Sequence, residues 1–68
     1  EVLAFDKEDS IAAGKVRAEL ALAGTPIGPF DVLIAGQALC RGLTLVTANT
    51  REFIRVQGLV VEDWSAAE

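Results

Sequence analysis

The chain has 68 residues, of which 51% are hydrophobic and 24% charged, with a formal net charge of -4 and a single cysteine. That length allows one domain at most, burying only about 60% of the surface its unfolded form exposes; the composition excludes a disordered chain, and one cysteine excludes an intrachain disulfide. The acidic balance argues against a strongly basic nucleic-acid platform, which draws on lysine and arginine, and no apolar run is long enough to span a membrane.

Val2-Leu3-Ala4-Phe5 reads as a short buried strand ending at an acidic turn. Asp6 or a neighbour can cap the next segment, where Ala13, Val16 and Leu20 recur at helical spacing between Lys7 and Ala23 and Lys15, Arg17 and Glu19 take the opposite face. This predicts an amphipathic surface helix, ended by Gly24 and Pro26. Gly28 is placed as the N-cap of a second helix, with Pro29 at its first position, where a missing N–H costs nothing. From there to Arg41 only Asp31, Gln37 and Arg41 are polar, so the helix is expected to be internal. Ala35, Gly36 and Ala38 would let a neighbouring backbone come close. Gly42 ends the helix, and Leu43 to Ala48 has the Leu, Val and Thr content of a strand buried on both faces of a parallel sheet. Thr50 to Phe53 should form a short helical turn, and Leu59 to Val61 a last strand before Trp64. Alternating strands and helices predict an α/β layer fold, in which ligands gather outside the carboxyl ends of the strands.

Two residues stand where such a site would be. Asp31 falls in the first turn of the second helix, where a carboxylate gains from the helix dipole. If that helix is buried, the same carboxylate also needs a cation or donors to offset desolvation. Asn49 stands just past the central strand; Asn49-Thr50-Arg51-Glu52 equally matches a capping box. Both readings remain open for each residue. Thr47 can lend a hydroxyl, and Arg51 and Arg55 can hold phosphates or simply face solvent. Cys40 is expected in the core, and Trp64 as a lid over it rather than a stacking platform. The absence of histidine excludes Ser-His and Cys-His catalysis within this segment and removes the usual zinc ligand.

Gly24-Thr25-Pro26-Ile27-Gly28-Pro29-Phe30-Asp31, Ile34-Ala35-Gly36, Leu45-Val46-Thr47-Ala48-Asn49-Thr50-Arg51-Glu52-Phe53 and the ending Glu62-Asp63-Trp64 together resemble the C-terminal half of a PIN domain of the VapC toxin type. The resemblance implies an α/β fold, the C-terminal portion of a PIN-like domain with a parallel sheet flanked by helices, spanning residues 1–68. It implies a Mg2+- or Mn2+-dependent endoribonuclease of toxin–antitoxin pairs, with Asp31 at the acidic metal-binding position and Asn49 at a second catalytic one. Thr47 and Arg51 are the candidate substrate contacts. The partners implied are RNA, a cognate antitoxin and, for the full-length protein, a second copy of itself.

The family's first aspartate and early glutamate belong to an N-terminal half that these residues do not include, and Glu1, Asp6 and Asp9 lie elsewhere in its pattern. The chain starts at Glu1 without an initiator methionine and is rich in apolar residues for its length. It is therefore expected to be the C-terminal part of a longer cytoplasmic polypeptide, inactive by itself. The alternative is a non-catalytic PIN-derived module that binds an antitoxin or self-associates.

Overall fold

The structure, a computed structural model, describes residues 4–64. Its elements in chain order are α1 (Lys7–Leu22), α2 (Pro29–Arg41), β1 (Thr44–Thr47), α3 (Thr50–Phe53) and β2 (Val60–Asp63). Of the strand expected over Val2 to Phe5, Val2 and Leu3 lie outside the described residues, and Ala4 and Phe5 belong to no strand.

Helix α1 starts on a reciprocal capping box: the Asp9 N–H donates to Asp6 Oδ1 and the Asp6 N–H to Asp9 Oδ2, each at 3.0 Å. It ends where Gly24 turns to φ 74°, which lets the Thr25 N–H reach the Leu20 carbonyl at 2.9 Å and the Gly24 N–H reach Ala21 at 3.1 Å. Ala13, Val16 and Leu20 are buried while Lys15, Arg17 and Glu19 face solvent, as the periodicity predicts. Gly28 and Pro29 open α2 in the expected positions, and Gly42, at φ 66°, closes it.

The two helices meet at Gly36. A Cβ there would lie 2.5 Å from the Ala13 Cα and backbone nitrogen, so only glycine permits this approach. The core gathers Ala13, Val16, Leu20, Val32, Ala35, Phe53 and Val56, with Ile34, Leu45 and Val61 packed against it. β1 and β2 pair in parallel, Leu45 opposite Val61 and Thr47 opposite Asp63. The Trp64 N–H continues the pairing by donating to the Thr47 carbonyl at 2.9 Å.

Four expectations of burial do not hold. β1 is covered on one face only: Leu45 is half-buried, whereas Val46 of β1 and Val60 of β2 are exposed. α2 buries Val32, Ala35, Gly36 and Ala38 but exposes Phe30 and Leu33, so it is not internal. Cys40 is exposed, and Trp64 remains 61% exposed rather than covering the core. The reason is geometric: two long helices and two short strands can bury the faces they turn to one another and have nothing left to cover the opposite sides. Among the described residues no helix is long and apolar enough to cross a membrane.

Candidate functional site

Gly28 brings the chain into α2 with no side chain of its own, and its carbonyl accepts the Val32 N–H at 3.0 Å. Asp31 therefore sits in the first turn, half-buried, with Oδ2 lying over Gly28, 3.5 Å from where a Cβ would stand. Because α2 is open on one side, burial does not by itself demand a counter-cation for Asp31. The helix dipole is a sufficient local reason for a carboxylate there.

At the far end of β1, Thr47 folds its hydroxyl over the turn and accepts the Asn49 N–H at 3.0 Å. This local bond shapes the exit from the strand. Asn49 occupies the N-cap position of α3, but its side chain makes no capping bond, so the capping-box expectation is not met. α3 has only four residues and offers little helix to cap. The Asn49 amide is exposed instead, on an open polar depression of about 530 Å³ lined also by Ala48, Thr50, Arg51, Glu52 and Arg55.

The structure thus brings Asn49 and Arg51 together, with Thr47 holding the turn beside them. Asp31 does not line that depression. Arg55 does, and its Nη1 reaches back to the Pro26 carbonyl at 3.5 Å, in the connection that leads to Asp31. Among the described residues, no group of three His, Cys, Asp or Glu side chains is placed to hold a metal ion. Magnesium favours several charged oxygen ligands and gives up water reluctantly. One half-buried carboxylate and an exposed amide do not meet that requirement.

The most developed polar cluster lies elsewhere and was not anticipated. Asp9 is wholly buried, yet each of its oxygens has partners. Arg41 donates from Nη2 to Oδ2 at 2.8 Å and from Nε to Oδ1 at 3.3 Å, and Gln37 Nε2 donates to Oδ2 at 3.2 Å. The same Arg41 and Gln37 groups grip the Ala4 carbonyl at 2.7 and 2.9 Å. Hydrogen bonds from Arg41 hold the Asp9 carboxyl well below the usual carboxylate range against the opposing effect of burial, and the Asp6 N–H and Gln37 act in the same direction. Nearby, loss of water around the sulfur and the negative Asp9 raise the Cys40 thiol above its ordinary value. This cluster is a structural anchor between the start of α1 and the end of α2. Its sequence signal was Asp6-x-x-Asp9, together with one arginine in the last turn of an apolar helix.

Comparison with known proteins places this architecture. The PIN domain profile matches residues 1–59. The tRNA(fMet)-specific endonuclease VapC of Shigella flexneri is 57% identical over 65 residues, which cover 96% of this chain and 49% of the relative. Its namesake from Salmonella typhimurium is 55% identical over 64 residues, covering 94% and 48%. A DNA-bound VapBC crystal structure from Salmonella typhimurium superposes with a TM-score of 0.88 at 55% identity, over 94% of this chain and 48% of that one. The chain spans about half the length of the curated relatives it matches. With the α/β order, the parallel strand pair and a family profile running over most of the sequence, the chain belongs to the PIN domain family.

Proposed function

We propose that the chain is the C-terminal part of a VapC-like ribonuclease whose whole polypeptide hydrolyses RNA phosphodiester bonds. The observation that carries this reading is the 55% and 57% identity to relatives named as VapC endonucleases, over 94% and 96% of this chain. In this reading Asp31 contributes one carboxylate to a Mg2+ or Mn2+ site, and Asn49 supports water or a substrate phosphate. The remaining carboxylates come from a part of the polypeptide outside these residues, and the 68-residue chain alone is inactive. Arg51 meets the RNA, with Thr47 shaping the turn. The polypeptide works in the cytoplasm, is held in check by a cognate antitoxin and forms a homodimer. Because two relatives are named for tRNA(fMet), that RNA is the first to assay.

The test is Asp31→Asn in the full-length polypeptide, assayed for RNA cleavage with magnesium or manganese. A loss of at least about a hundredfold is expected for removal of a charged group that acts on the reacting phosphate. Undiminished cleavage would remove Asp31 from the site. A second reading, a non-catalytic module that binds an antitoxin or another copy of itself, draws support from the exposed Phe30, Leu33, Val60 and Trp64. Upstream coding sequence separates the two: a strand ending in aspartate followed by an early helical glutamate favours the nuclease, and their absence favours the module.

A further inference from the structure

Of the six lysines and arginines, Lys7, Lys15 and Arg17 lie on α1, and Arg41 is engaged by Asp9. Only Arg51 and Arg55 remain, and both line the depression beyond β1, two guanidiniums against the one carboxylate of Glu52. In a chain of net charge -4, this lining carries a local excess of positive charge that suits a phosphate backbone. The two arginines differ in one respect. Arg51 has no side-chain hydrogen bond among the described residues, whereas Arg55 is drawn toward the Pro26 carbonyl.

That contact joins two elements the candidate site needs. Pro26 belongs to the connection that delivers Asp31, while Arg55 follows α3 on the side of Asn49. A planar guanidinium carries five donors, so one N–H on a carbonyl leaves a fork free for phosphate oxygens. A side chain already oriented loses less freedom on binding than a free one.

Resting on the nuclease reading above, we propose that Arg55, more than Arg51, is the principal contact to the RNA phosphate backbone, oriented by the Pro26 carbonyl. Lysine cannot reproduce this role, because a single ammonium does not offer the same planar fork.

The experiment measures RNA affinity by fluorescence anisotropy in the full-length polypeptide. Cleavage is blocked by Asp31→Asn, the salt concentration is varied, and R55Q, R55K and R51Q are compared. R55Q is expected to weaken binding about tenfold and to reduce the slope of log affinity against log salt by about 0.7, the value for one phosphate of a single strand. R51Q should weaken binding clearly less than R55Q does, and R55K should keep the slope while losing part of the affinity. In the cleavage-competent protein, R55Q should raise KM with little change in kcat. Circular dichroism of each variant verifies the fold, and R55K carries the test should R55Q fail to fold. Unaltered affinity and slope in R55Q, or an equal loss in R51Q, would overturn the Arg55 assignment while leaving the nuclease reading intact. Failure of the unsubstituted polypeptide to bind or cleave RNA would overturn both.

Discussion

Asp9 carries more of the local electrostatics than any residue of the candidate site. Its charge is removed from water, and what makes that tolerable is the Arg41 fork, the Gln37 amide and the Asp6 N–H acting together. Asp9→Asn should lower the unfolding midpoint by at least about 5 °C at neutral pH, since it removes the buried charge that the Arg41 fork holds and leaves Arg41 only the longer pairing with Asp6 at 3.6 Å. Because the folded carboxyl is held below its unfolded value, its contribution is present above about pH 4 and is lost as pH falls below that. Thermal melts across pH should therefore show the gap between wild type and variant closing in acid; a gap that stays constant would contradict the ion-pair account. The role of Asp31 is tested by cleavage instead.

Helix ends were readable because local chemistry sets them. Asp6, Gly28-Pro29 and Gly42 each satisfy or spare backbone groups within a few residues, so their placement does not depend on the rest of the fold. The Gly36 contact with Ala13 was readable only as an allowance for close approach; which helix would come close was not. Two glycine substitutions separate helix propensity from packing. Gly36→Ala should destabilise by about 1–3 kcal/mol, because its methyl meets backbone that cannot rotate away. Gly14→Ala, on the open face of α1 with nothing within 4 Å of the added methyl, should gain up to about 1 kcal/mol of helix propensity. Urea unfolding of both variants would decide this, and destabilisation of similar size at the two sites would refute the packing argument. Asn49 is the instructive failure among the elements. Its capping pattern was present, but Thr47 takes its N–H, and the amide stays free of α3.

At the scale of the molecule, the exposed Phe30, Val46, Val60 and Trp64 leave a two-layer arrangement with apolar surface on its outer sides. Parallel strands are ordinarily covered on both faces, so the isolated 68-residue chain is expected to self-associate or unfold. Size-exclusion chromatography with light scattering checks this, and a stable monomer of 7.2 kDa would refute it. The sequence by itself determined the order of elements from α1 to β2, the ends of α1 and α2, the buried stripe of α1 and the family, because periodicity, turn chemistry and a long run of matching residues are properties of the chain read along its length. Only the tertiary structure decided that α2 is open on one side, that Cys40 and Trp64 are exposed, that Asp9 is anchored by Arg41, and that Arg55 joins the Asn49 turn to the connection before Asp31. Burial and long-range pairing depend on which faces meet, and apolar content alone does not specify the partner that covers it.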